Sequence, residues 1–288
     1  MCNHSSDTGT DLYAGEDPTR ALFAGRILRV ASAATALIDS VRSRLPVLFE
    51  VASVAALEFV HECYDSVQLY ERTTRAQAGL RDDPEIRRAT RRMLTPFDGP
   101  GAGELYFDGP RLRVVPHDGH RVTAAAPAYY VHRDTWFANS ASQWNWWMPV
   151  FETPVARGFE IYPDCFHRAV PNDSQEFRLA DWERAGGFQA GGGARQVHPR
   201  LDPAVAKAAL GAPSKIGGAP GECVLFAAHH LHGTVANATG RTRFSLELRT
   251  VRRGDAMSGR GAAEMDNRSR GSTLRMMSRV RDGARWPA

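Results

Sequence analysis

Lysine is nearly absent from this 288-residue chain: Lys207 and Lys215 are the only two, so 34 of the 36 basic residues are arginine. Such a bias reflects composition rather than a nucleic-acid surface. The excess of positive charge is also local. From Arg252 to Ala288 nine arginines face Asp255, Glu264, Asp266 and Asp282, a surplus of five that exceeds the net +4 of the whole chain. The rest is about neutral, which excludes a basic groove along the body. No run of 18 apolar residues occurs, so no membrane span is expected. The first twenty residues are polar and acidic and lack the charged start and apolar stretch of a secretion signal, so cytoplasmic residence is the expectation. Cys2, Cys63, Cys165 and Cys223 form no CxxC pair, which argues against a zinc knuckle or a disulfide framework and for buried thiols. There is no internal repeat. What remains is a chain of one-domain size with 43% hydrophobic residues, suited to a small-molecule partner and to a monomer or homodimer.

The pattern along the chain changes once. Residues 1–20 read as a loose arm. From Leu22 to about Ala78, Phe23, Ile27, Val30, Leu37, Ile38, Val41 and Leu45 recur at helical steps. Pro46 ends or restarts that helix, and a second helical stretch carries Val51, Val54, Leu57 and Val60. Asp83-Pro84 opens a short Arg-rich helix. Beyond Gly99 the predicted elements are strands: Glu104–Phe107, Arg111–Val115, Ala128–Thr135, Gln143–Val150, Gly158–Tyr162, Cys223–Ala227 and Thr242–Val251. Helices first and strands later imply a mainly β fold, with a helical layer (21–98) on one side of a β core (99–251). Residues 172–220 break the pattern. Gly186, Gly187 and Gly191–Gly193 resist regular structure, and a connection this long suggests a mobile cover over a pocket. A short helix is expected near Pro203–Leu210. The Arg-rich tail 252–288 is expected to order only where it docks.

Two segments carry chemistry. In Tyr129-Tyr130-Val131-His132-Arg133-Asp134-Thr135-Trp136, a strand would put His132 and Asp134 on one face and turn Arg133 away. An imidazole and a carboxylate side by side need one more histidine to make a 2-His-1-carboxylate triad, which leaves open positions on iron(II). The second segment, Ala228 to Arg243, supplies His229, His230 and His232, then Gly233-Thr234, Asn237 and Arg243. His230 and His167 are alternative third ligands. Taken together, HxD, the distant His-Gly-Thr, the Asn and the Arg resemble the phytanoyl-CoA hydroxylase-like group of iron(II)/2-oxoglutarate-dependent oxygenases. That resemblance points to His232, because Gly-Thr follows it and Arg243 lies 11 positions on. The resemblance spans roughly residues 100–251 in order of elements and is specific in the two motif blocks. The helical first third has no such match.

The resemblance implies a double-stranded β-helix core, a jelly-roll of cupin type. It implies iron(II) held by His132, Asp134 and His232, with 2-oxoglutarate and O2 as co-substrates. Arg243 would grip the far carboxylate of 2-oxoglutarate, a task that suits the guanidinium fork. Thr234 and Asn145 are further candidates for that co-substrate. Trp136, Tyr130 and His230 are candidates for the substrate, with Tyr129 beside them. The reaction implied is oxidation of an unactivated C–H bond with release of succinate and CO2, as hydroxylation, ring closure, desaturation or epimerisation. By analogy its setting is bacterial specialised-metabolite biosynthesis. Halogenating relatives lack the carboxylate, so Asp134 argues against that chemistry. The competing readings are a cupin-like binding protein without turnover and a metal-dependent isomerase or hydrolase on the same barrel.

Two patterns in the strands bear on the pocket. Arg243, Ser245, Glu247 and Arg249 alternate with Phe244, Leu246 and Leu248, so one face is polar and the other apolar. Gln143, Asn145 and Trp147 share a face, with Trp144, Trp146 and Met148 on the other. The polar faces are expected to line the pocket and the apolar ones to pack on the helices.

Overall fold

A computed structural model describes residues 10–11, 17–99, 104–187 and 197–287. Most of the expected N-terminal arm, and Gly191–Gly193 of the expected cover, lie outside the described residues.

The helical layer follows from local chemistry. After a short α1 (Thr19–Phe23), α2 runs Thr35–Phe49 and buries Leu37, Ile38, Val41, Leu45 and Phe49 along one side. Pro46 does not stop it. The helix continues one turn and ends at Glu50, which takes a left-handed conformation (φ 54°). The Tyr64 hydroxyl then donates to the Phe49 carbonyl at 2.9 Å, satisfying one of the acceptors that a helix end leaves open. Residues 55–63 form a 3-10 turn (Ala55–Phe59) leading into the four-residue α3 (Val60–Cys63). Asp65 caps α4 (Ser66–Asp82) in a capping box with Gln68. Asp83 caps α5 (Pro84–Leu94), where Pro84 has no N–H to leave unsatisfied.

The strands form two sheets. In the larger, β1 (Thr10–Asp11), β2 (Leu28–Val30), β8 (Cys223–Ala227), β5 (Trp144–Pro149), β10 (Arg243–Arg252), β3 (Leu105–Phe107) and β11 (Ser278–Arg279) lie in that order, and β4 (Arg111–Val115) pairs with the first half of β10. The smaller has the order β7 (Ser214–Ile216), β6 (Phe159–Ile161), β9 (His232–Thr234). Apart from β1 with β2, all these pairings are antiparallel.

Alternation on β5 and β10 decides which side faces what. Trp144, Trp146, Met148, Phe244, Leu246 and Leu248 join the helices in the main core. Each such buried side chain contributes about 1.5–3 kcal/mol relative to exposure. The other face meets the small sheet through Trp147, Phe159, Ile161, Ile216, Val224 and Phe226. The polar residues of β5 and β10 are thereby confined between two sheets. Antiparallel sheets behind an N-terminal helical layer are therefore what the chain builds.

Several expected elements differ. Leu28–Val30 is a strand rather than helix, because Gly25 (φ 87°) ends the α1 segment and the edge of β8 accepts the chain. The expected strand Ala128–Thr135 does not form. A 3-10 turn spans Thr123–Tyr129 around Pro127, a second spans Asp134–Phe137, and between them only His132 pairs, in a single bridge with His232. Strands β7 and β9, three residues each, were too short to show a period. β7 falls inside 172–220, which also holds α6 (Leu179–Arg184) and a 3-10 turn at Lys207–Leu210. The tail docks throughout its described length. It forms α7 (Arg253–Ser258) and β11, and it sends Asp266 into the protein interior.

Candidate metal centre

The bridge between residues 132 and 232 sets the geometry. Each backbone N–H donates to the other's carbonyl at 2.9 Å, and the imidazole rings stand side by side with centroids 4.4 Å apart. Each ring is oriented by its own neighbour. His132 Nδ1 donates to the Tyr130 carbonyl at 2.8 Å, and His232 Nδ1 to the His230 carbonyl at 2.9 Å. In a neutral ring so held, Nε2 carries the lone pair, and this is the tautomer a metal requires.

Asp134 reaches the same point by a different route from a strand. It opens a 3-10 turn, its N–H tied to the Ala228 carbonyl at 3.0 Å. Its Oδ1 lies 3.4 Å from His132 Nε2 and 4.0 Å from His232 Nε2. The ligand atoms of the three residues lie within 4.8 Å of one another, and no other such group occurs among the described residues. Neighbouring ligands of a six-coordinate ion stand about 3 Å apart, so a modest contraction would close this set around one cation. Charge fits too. Burial pushes His232 down to about 4, with His132 beside it acting in the same sense, so the ring is neutral at pH 7. Burial works against the Asp134 carboxylate, but Arg249 and the two histidines outweigh it and hold the group well below its usual range.

Arg249 and Gln143 are functional neighbours that the motifs did not name. Arg249 Nε lies 3.2 Å from Asp134 Oδ2, and Gln143 Nε2 donates to the same oxygen at 3.4 Å and to Asn145 Oδ1 at 2.8 Å. Oδ2 is thus occupied and Oδ1 is left toward the histidines. The alternation on β10 and β5 carried the signal, since Arg249 and Gln143 share faces with Arg243 and Asn145.

A cavity of about 60 Å³ opens on this group, and Asn145, Trp147, Thr234, Arg243 and Glu247 are in its wall. Arg243 is buried and donates from Nη1 to the carbonyls of Gly158 and Arg157. Its Nε has no partner, and neither does the buried Trp147 Nε1. Burial pushes the guanidinium down to about 10, so it remains charged. Unmatched buried donors beside a cationic side chain suit an anion.

A second cavity, about 310 Å³, shares His132, Asp134, Arg113, Glu247 and Arg249 with the first. It extends between α4, β4, the start of 172–187 and the tail. His198, which sequence reasoning did not single out, also lines it.

Three expected substrate contacts sit elsewhere. Trp136 is fully buried, donates Nε1 to Asp266 at 2.8 Å, and lines neither cavity. His230 is buried between Phe166 and Phe226, its two ring nitrogens each 3.1 Å from a carbonyl, of Ala227 and of Gly25, only one of which a neutral ring can donate to. These contacts hold it away from the site, and it lines neither cavity. Tyr130 lines neither cavity and lies under the Arg200 guanidinium, 4.7 Å from its ring centre. His167 is not in the ligand group.

The resemblance to phytanoyl-CoA hydroxylase-like iron(II)/2-oxoglutarate oxygenases therefore extends from the sequence to the assembled triad. No family model matches the chain, and no curated protein is similar to it. Three solved structures are partly alike. The epimerase SnoN, in complex with Fe3+, alpha ketoglutarate and nogalamycin RO, is 14% identical, with 91% of this chain and 98% of that one covered and a TM-score of 0.44. AviO1 from Streptomyces viridochromogenes Tue57 is 14% identical, with 81% and 94% covered and a TM-score of 0.41. EvdO2 from Micromonospora carbonacea var. aurantiaca is 16% identical with a TM-score of 0.37; the match covers 61% of this chain and spans 62% of the length of EvdO2. None of these TM-scores reaches 0.5, so the functional reading rests on the side chains themselves.

Proposed function

We propose that this protein is an iron(II)- and 2-oxoglutarate-dependent oxygenase. It hydroxylates, or otherwise oxidises, an unactivated C–H bond of a small molecule in specialised-metabolite biosynthesis. The observation that carries the reading is one cavity with two imidazoles and a carboxylate converging in its wall and a buried guanidinium with an unmatched N–H in the same wall. His132, Asp134 and His232 would hold the metal. Arg243 would bind the far carboxylate of 2-oxoglutarate, with Thr234, Asn145 and the Trp147 N–H as further donors or neighbours. We read the two sheets, with the site between them, as a double-stranded β-helix.

The metal and its co-substrate, when bound, supply the oxidising chemistry, with O2 consumed and succinate and CO2 released. The protein's own part is positional. Arg249 and Gln143 hold the outer oxygen of Asp134, and the backbone carbonyls of residues 130 and 230 hold the imidazoles. The aromatic residues around the second cavity exclude water from the reacting bond. No helix among the described residues is long and apolar enough to cross a membrane.

Anaerobic titration with iron(II) and then 2-oxoglutarate tests this. The expected result is a weak visible charge-transfer band, followed by succinate formation when air is admitted. A protein that binds iron but never develops the band, and forms no succinate, returns the reading to a cupin-like binding protein or to a metal-dependent hydrolase or isomerase.

A further inference from the structure

Resting on that reading, the walls of the larger cavity say what kind of molecule is oxidised. We infer that the substrate is electrically neutral, with an apolar ring body and several hydroxyl groups, and is not an acid, a phosphate ester or a coenzyme A thioester.

The charge balance comes first. Among the described residues, three arginines line this cavity, and each is paired. Arg111 lies 2.8 Å from Asp108, Arg113 lies 3.2 Å from Glu247, and Arg249 lies 3.2 Å from Asp134 and 3.4 Å from Asp108. Among the described residues an anionic substrate would find no arginine in this wall without a carboxylate partner, and it would lose its hydration with little compensation. An ammonium group would equally find no unmatched carboxylate. A divalent metal and doubly charged 2-oxoglutarate would cancel and leave this balance unchanged.

Hydrogen-bonding capacity comes second. Thr73 and Thr74 donate their only hydroxyl protons to the Leu69 and Tyr70 carbonyls at 2.8 and 3.0 Å. Thr273 donates to Asn139 Oδ1 at 2.7 Å, and Gln77 Nε2 donates to the Leu112 carbonyl at 2.7 Å. All four line the cavity, and what they have left is mainly oxygen lone pairs. These four groups accept from a ligand that brings its own donors, as alcohols and phenols do.

Shape comes third. Phe137, Phe177, Leu179, Trp182 and Met276 form an apolar side to the same cavity. At about 310 Å³ the space is in the range of drug-sized ligands, several times that of the adjoining co-substrate cavity. A flat or fused ring system meets the aromatic side, with hydroxyls turned toward α4 and Thr273.

The test is isothermal titration calorimetry under anaerobic conditions with matched probes. Iron(II) and 2-oxoglutarate binding are measured first in the same cell. The probes are then estradiol against estradiol 3-sulfate, naringenin against its 7-glucuronide, and octanoyl-CoA. Each neutral probe is expected to bind at least tenfold more tightly than its anionic partner, and octanoyl-CoA to give no heat. Thr74→Val should weaken the neutral probes about fivefold while 2-oxoglutarate binding stays unchanged. Glu247→Gln, which uncovers Arg113, should raise affinity for estradiol 3-sulfate. If the anions or octanoyl-CoA bind as tightly as the neutral probes, or if no neutral probe binds, the inference is overturned. Loss of 2-oxoglutarate binding alone would instead overturn the oxygenase reading, because the probe comparison can be completed without it.

Discussion

Two arginines, both fully buried, stand on opposite sides of the metal-ligand segment and are treated differently. Arg133 lies behind it. Its guanidinium meets Asp266 at 3.1 Å and donates to the carbonyls of His229, Cys165 and Arg168. Asp266 in turn accepts from Trp136 Nε1 at 2.8 Å and from the Val170 N–H at 2.9 Å. Arg133 and Asp266 are thus matched to partners within the protein. Arg243 lies in front. It has two carbonyl partners, no carboxylate within ion-pair distance among the described residues, and an orphaned Nε. A buried charge with a complete set of partners is structural, and one without is arranged for something that arrives later.

The sharpest test of the contrast lies at the ligands. His232→Ala, His132→Ala and Asp134→Ala should each abolish turnover and strip bound iron, measured by metal analysis after desalting. His230→Ala, behind the site, should keep iron and lose only stability, about 1–3 kcal/mol for its carbonyl hydrogen bond. If His230→Ala loses iron and His232→Ala keeps it, front and back have been assigned the wrong way round.

Next come the arginines. Arg133→Met should cost about 3–5 kcal/mol in chemical denaturation, since Asp266 is left buried and unpaired. Arg243→Ala should leave the unfolding midpoint nearly unchanged and raise the 2-oxoglutarate requirement roughly 30- to 1,000-fold, the loss of one partner of a buried charge pair. Arg243→Lys should recover only part of this, because a point charge cannot reproduce the fork. An unaltered co-substrate dependence in Arg243→Ala would remove it from the binding site.

Smaller effects should follow from the polar neighbours. Asn145→Ala and Thr234→Ala should each raise the apparent 2-oxoglutarate KM about tenfold, the value of one hydrogen bond to a charged group, with iron content unchanged. The smallest effect concerns residues 172–220. Phe177, Leu179 and Trp182 pack on Ala138 and also line the larger cavity, while Ser214–Ile216 is bound into the small sheet. If this segment covers the pocket, hydrogen exchange should slow severalfold at 174–187 when iron, 2-oxoglutarate and substrate are added, and stay constant at 214–216. Equal rates at 174–187 in both states would reject a cover.

Much of this was readable in advance. The spacing from His232 to Arg243, the alternation on β5 and β10, and the helix start at Asp83-Pro84 are local patterns, and local patterns survive folding. His132, His232 and Arg243 could be singled out from them. Other features depended on contacts across the chain. His132 and Asp134 do not share a strand face, since residue 134 starts a 3-10 turn, yet their side chains still converge because the Ala228 carbonyl holds that turn in place. Trp136 and His230 looked as eligible for the cavity as Arg249 and His198. Which way each points depends on Asp266, more than a hundred residues away, and on Gly25, more than two hundred away. The sequence alone determined which side chains are able to bind a metal and an anion, because that is a property of residue type and near spacing. Only the tertiary structure decided which of them meet, which are locked away behind the site, and which buried donors remain unmatched, because those outcomes are set by partners that sequence distance does not reveal.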